Sequence, residues 1–121
     1  LFPYTTLFRS DVLLFGIGTA MRMADQRHIA DDVRKQLVDN HAVGEALGQY
    51  CDIKGKLIYS TNNIGLSLPD VVKVPNVIAV AGGQEKASAI IGVMRACQKG
   101  ILIIDEQAAE GMRQLLQISA L

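Results

Sequence analysis

Three short apolar runs frame the chain, at Asp11 to Phe15, Val77 to Ala81 and Ile101 to Ile104. None shows the alternation of apolar and polar positions that marks a half-exposed strand. The β-branched run from Val77 to Ala81 therefore reads as a strand covered on both faces. Helical spacing follows the second and third runs. From Glu85 to Cys97, the residues Ala87, Ile90, Ile91 and Met94 share one face. After Ile104, Asp105 and Glu106 cap a last helix expected to bury Ala108, Ala109, Met112 and Leu115 or Leu116. Ile29, Val33 and Leu37, four apart, mark a further amphipathic helix with Asp31 and Asp32 in its first turn, where the dipole favours acids. Strand, helix, strand, helix in this order predicts βαβ units, a parallel sheet and right-handed crossovers, an α/β fold. Ligands bind such sheets beyond the carboxyl ends of the strands. Here those ends are Gly16 to Thr19, Gly82 to Lys86 and Asp105-Glu106.

The middle of the chain has a different texture. Ala42 to Cys51 predicts a strand, Asp52-Ile53-Lys54-Gly55-Lys56 a hairpin turn, and Leu57 to Ser60 the return strand of a β-hairpin. Asn62 to Leu68 reads as a loop. Pro69 to Val72 reads as a short helical turn with Ser67 as its cap.

The glycine turns carry the candidate chemistry. Gly82 and Gly83 let the backbone turn sharply out of a strand, and the helix start that follows presents free N–H groups beside Lys86. That arrangement suits a phosphate, although an ordinary sheet-to-helix junction with a solvated lysine has the same spacing. Gly16 and Gly18 form a second strand-end turn, but Met21 stands where a dinucleotide fingerprint needs its third glycine. Arg22, Asp25, Gln26, Arg27 and His28 follow closely, and an arginine beside a glycine loop can grip a phosphate bidentately. Glu45 lies among Ala42, Gly44, Ala46 and Gly48, where a carboxylate needs a partner, either an ion pair or the hydroxyls of a sugar. His28 and His41 have no companion at ligand or triad spacing.

Composition removes several classes of function. The 121 residues carry 12 Lys and Arg against 12 Asp and Glu, interspersed, so no basic nucleic-acid face emerges. Cys51 and Cys97 are isolated and fit small apolar residues of a reducing compartment. No metal site and no cofactor motif is indicated, and no run is long enough to span a bilayer. A cytoplasmic protein is expected. The first ten residues, Leu1 to Ser10, resemble the translation of a sequencing adapter, which leaves residues 11–121 as the domain-forming part.

Taken together, several motifs in order carry a resemblance. They are Gly16-Ile17-Gly18, Met23-Ala24 with Arg27 behind, Ala42-Val43-Gly44-Glu45-Ala46-x-Gly48, Ile64-Gly65-Leu66, Pro75 to Gly83 with Lys86-Ala87, and Asp105-Glu106-x-Ala108-Ala109. From Asp11 to about Leu116 the chain resembles the effector-binding domain of the SorC family of bacterial sugar-responsive transcriptional regulators, within its branch that controls glycolytic genes. The resemblance implies a parallel-sheet, Rossmann-like three-layer domain of the phosphosugar isomerase type, here a C-terminal fragment of it, without catalytic function. It implies a phosphorylated sugar effector, fructose 1,6-bisphosphate in some members, homo-oligomerisation, and DNA contact only through a separate N-terminal domain. Carried over by position, Gly82, Gly83 and Lys86 would hold a phosphate, Glu45 would accept sugar hydroxyls, and Gln26-Arg27, beside the Gly16 and Gly18 turn, would hold phosphate as well. The branch tends to carry Arg-Arg where this chain has Gln26-Arg27.

The enzymes of this fold, phosphosugar isomerases and deaminases, are the alternative. Their chemistry needs an acid or base just beyond the Gly-x-Gly turn. This chain offers Thr19-Ala20-Met21 there, none of which titrates near neutral pH. The sequence therefore favours binding over catalysis.

Overall fold

The computed structural model describes residues 11–61 and 67–117. Leu1 to Ser10, and the motif Ile64-Gly65-Leu66 with most of its expected loop, lie outside the described residues.

Strand β1 (Val12–Gly16) pairs in parallel with β6 (Asn76–Ala81), and β6 pairs in parallel with β7 (Ile101–Ile104), giving the order β1-β6-β7. Helix α3 (Ala87–Cys97) makes the crossover from β6 to β7, and α4 (Glu106–Leu116) packs beside it. The core fills the space between this sheet and α3. Leu13, Phe15, Val77, Ala79 and Ala81 point inward from the strands and meet Ala89, Ile90, Val93 and Cys97. The expectation of parallel βαβ units is met.

The expected cover on both faces of the strand after Asn76 is met on one. Its burial alternates, with Val77, Ala79 and Ala81 inside and Val80 exposed. Val12, Leu14, Ile101 and Ile103 are exposed with Val80; Leu14 and Ile101 reach 65% and 64%. The reason is geometric: successive strand residues point to opposite faces, and both α3 and α4 lie on the same one. The last helix also departs from expectation. Ala108 and Gly111 are buried, whereas Ala109, Leu115 and Leu116 face outward.

A second, antiparallel sheet runs β2 (Gly18–Thr19), β3 (Gly44–Ala46), β4 (Gln49–Cys51), β5 (Leu57–Ser60). The stretch expected to form one strand from Ala42 to Cys51 is thus a hairpin of its own. Leu47 and Gly48 make its two-residue turn, both with positive φ (54° and 79°), as a type I′ turn requires. The return strand at Leu57 is as expected, and the Asp52 side chain closes that turn by accepting from the N–H groups of Lys54 and Lys56. Gly44 is where β3 meets α3: a Cβ there would lie 2.8 Å from the Ala89 carbonyl oxygen.

Helices α1 (Ala20–Gln26) and α2 (Asp31–Asp39) cover one side of this sheet, where Ala20, Ala24, Leu37 and Tyr50 form a second core with Ile29 and Val33 at its margin. Ser67 does not cap the turn at Pro69–Lys73. Its hydroxyl donates instead to the Asp70 carboxylate at 2.7 Å. Ile17 alone separates β1 from β2, so the chain changes sheets in one residue. That residue is buried, and its N–H donates to the Val80 carbonyl at 3.1 Å.

Candidate functional site

The end of β1, the start of α1 and the β3 hairpin enclose a cleft of about 530 Å3. That volume lies within the roughly 300–1,000 Å3 usual for small-molecule sites. Of the residues predicted to bind, Gly16, Gly18, Gln26, Arg27, Glu45 and Lys86 all line it. It opens beyond the carboxyl end of the parallel strands, as the fold rule requires.

Glu45 is the buried acid of the site, 3% exposed. Its Oε2 accepts from the Gly48 N–H at 2.8 Å and lies 3.0 Å from Arg27 Nη1. The partner that the sequence required is therefore an ion pair, held from inside the hairpin turn. Beside it, the Tyr50 hydroxyl is buried and has no hydrogen-bond partner among the described residues. Burial, and then the Glu45 charge, push the Tyr50 phenol above its usual range.

Lys86 ends the short 3₁₀ turn Gln84–Lys86 that precedes α3. It is partly exposed, and its ammonium makes no hydrogen bond or ion pair with the described residues. Gly82 and Gly83 stand behind it and are not among the lining residues. Gly83 has φ +101°, a conformation open to glycine, and its N–H points to both Asp105 carboxylate oxygens at 3.1 Å. The same carboxylate accepts from the Ala108 N–H at 2.8 Å as the N-cap of α4. Asp105 is held below the usual carboxylate range by the N–H groups of Ala108 and Gly83. The Gly82-Gly83 turn is thus tied to α4 by an internal carboxylate.

Arg22, raised in the sequence as a possible phosphate grip, and Thr19, at a ligand-facing strand end, are not among the residues assigned to binding, nor are Met23 and Leu47, yet all four line the cleft. The signal for Arg22 was its spacing: it stands four residues before Gln26 on what the structure shows to be one helix. Among the described residues, no three His, Cys, Asp or Glu side chains gather as metal ligands would. Cys51 and Cys97 are buried free thiols, each pushed by burial to about 12.

The sequence and structural relatives point the same way. Residues 4–114 match the family model of a sugar-binding domain. The central glycolytic genes regulator of Bacillus subtilis is 36% identical over 105 residues, which cover 87% of this chain and 31% of that protein. Its counterpart from Priestia megaterium is 39% identical over 99 residues, 82% of this chain and 29% of the relative. The crystal structure of a SorC family transcriptional regulator from Enterococcus faecalis superposes with a TM-score of 0.81 at 37% identity, covering 89% of this chain and 44% of that one. The chain spans about a third of the length of these curated relatives, whose names are those of regulators and not of enzymes. With a matching family model along almost its whole length and the site on the matching fold, the chain belongs to the sugar-binding domain family of SorC-type transcriptional regulators.

Proposed function

We propose that this chain is the effector-sensing part of a cytoplasmic bacterial regulator of glycolytic or other carbohydrate genes, and that its cleft takes up a phosphorylated sugar without transforming it. The observation that carries the reading is the Lys86 ammonium, unpartnered among the described residues, on the same cleft as the buried Glu45 carboxylate. An ammonium free of internal partners can spend its charge on a phosphate, and a fixed carboxylate can accept sugar hydroxyls. Gln26 and Arg27 flank that pair, and Gly16 and Gly18 let the ligand approach the backbone. Gly82 and Gly83 would support Lys86; the Gly83 N–H reaches a phosphate only if it leaves Asp105. Fructose 1,6-bisphosphate is the first effector to test. DNA contact would belong to another domain of the regulator, and effector binding would act through a homo-oligomer.

Isothermal titration of the 121-residue chain with fructose 1,6-bisphosphate tests the reading. The Lys86→Ala variant should bind about tenfold or more weakly, since one charge-assisted hydrogen bond contributes roughly 1.5–3 kcal/mol. An unchanged dissociation constant overturns the assignment. Turnover of a hexosamine or pentose phosphate would favour an enzyme instead.

A further inference from the structure

Three cations line the cleft: Arg22, Arg27 and Lys86. They are not equivalent. Arg27 is engaged with Glu45 at 3.0 Å, and withdrawing it to meet a ligand would strand a buried carboxylate. The Arg22 and Lys86 side chains make no hydrogen bond or ion pair with any described residue. Two uncommitted positive charges therefore remain, and they sit on separate elements: Lys86 on the 3₁₀ turn after β6, Arg22 on α1.

Arg22 also has a companion. Gln26 lies four residues further along α1, hence one turn away on the same helix face, and lines the same cleft. A guanidinium fork beside a primary amide presents several N–H donors to one oxyanion, an arrangement that a lone lysine does not offer. A ligand with a single acidic group on Lys86 would leave this pair idle.

Resting on the reading of the cleft as a sugar-phosphate site, we propose that Arg22 is a specificity-determining residue: together with Gln26 it holds a second acidic group of the ligand, distinct from the one held by Lys86. That group is an oxyanion, either phosphate or carboxylate. The cleft then selects sugars acidic at both ends over sugar monophosphates, and the charge at Arg22 sets the ratio.

The test is calorimetric titration of the 121-residue chain with fructose 1,6-bisphosphate, 6-phosphogluconate and fructose 6-phosphate, on the unaltered protein and on Arg22→Gln, Arg22→Lys and Lys86→Ala. Arg22 is exposed, so its replacements should leave the circular dichroism spectrum and melting temperature unchanged. Arg22→Gln should weaken binding of a doubly acidic sugar about tenfold or more and leave fructose 6-phosphate within about twofold. Arg22→Lys should recover part of the loss. Whichever doubly acidic probe loses more on Arg22→Gln identifies phosphate or carboxylate as the group held. Equal losses for all three sugars, or no loss on Arg22→Gln while Lys86→Ala weakens binding, overturn the assignment of Arg22 alone. If the unaltered chain binds none of the sugars, or Lys86→Ala changes nothing, the sugar-phosphate reading falls and this proposal with it.

Discussion

Arg27 Nη1 lies 3.0 Å from Glu45 Oε2 and joins the C-terminal end of α1 to the middle of the antiparallel sheet. The pair is asymmetric. Glu45 is 3% exposed, while the Arg27 side chain is 38% exposed and shares its charge with water.

That asymmetry fixes what each replacement does. Arg27→Ala leaves Glu45 buried with, among the described residues, the Gly48 N–H alone, at a cost of about 1–3 kcal/mol, below the cost of a fully buried pair because water screens the guanidinium. Arg27→Lys keeps the charge, loses the fork and should fall between. Urea unfolding at pH 7 measures both. Equal stability of Arg27→Ala and the unaltered chain would mean that the pair contributes nothing.

Tyr50 gives the opposite sign. Its hydroxyl is buried without a partner among the described residues, so the group has lost its water and gained no hydrogen bond from them in exchange. Tyr50→Phe keeps the ring in the second core, 6.2 Å from that of Tyr59, and removes the orphan. The variant should be as stable as the parent or more so, by up to about 2 kcal/mol. A clear loss of stability in thermal unfolding would show that the hydroxyl has a partner in solution.

Asp105 should shape the acid limb of the stability curve. Its folded carboxyl titrates below its unfolded value because Ala108 and Gly83 donate to the charged form. The stabilisation is therefore complete above the unfolded value, near pH 4, and is lost as pH falls through the lower folded value. Asp105→Asn should melt at a lower temperature at pH 7, and the gap to the unaltered chain should narrow below about pH 4. A gap independent of pH would remove the carboxylate charge from the explanation.

Much of the parallel half was legible because its signals are local. An apolar run, a glycine and a 3.6-residue period each lie within a few positions, and β1, β6, α3 and β7 appear where those signals stand. The antiparallel half was less legible. Leu47 adopts positive φ in a two-residue turn where asparagine or glycine would announce a hairpin, so two strands read as one. α1 carries Arg22, Asp25 and Gln26 directly after a glycine turn, and its apolar stripe is little more than Ala20 and Ala24.

In the site, Glu45 announced its need for a partner, but the sequence left open whether that partner was Arg27 or a ligand. The fate of the Gly83 N–H was hidden for another reason. Asp105 lies 22 residues away, and only the neighbouring ends of β6 and β7 bring the two together. What remained unread in the cleft is what depends on through-space neighbours.

The single-residue joint at Ile17 gives the cleft its mechanical character. Since Gly16 ends one sheet and Gly18 begins the other, the two sheets share a seam without slack, fastened to β6 by the Ile17 N–H. A molecule gripped by Lys86 on one side and by the Glu45 hairpin on the other would act as a rivet across that seam. Its arrival would be felt as stiffening of both halves at once, and amide exchange should slow at β2 and at β6 together.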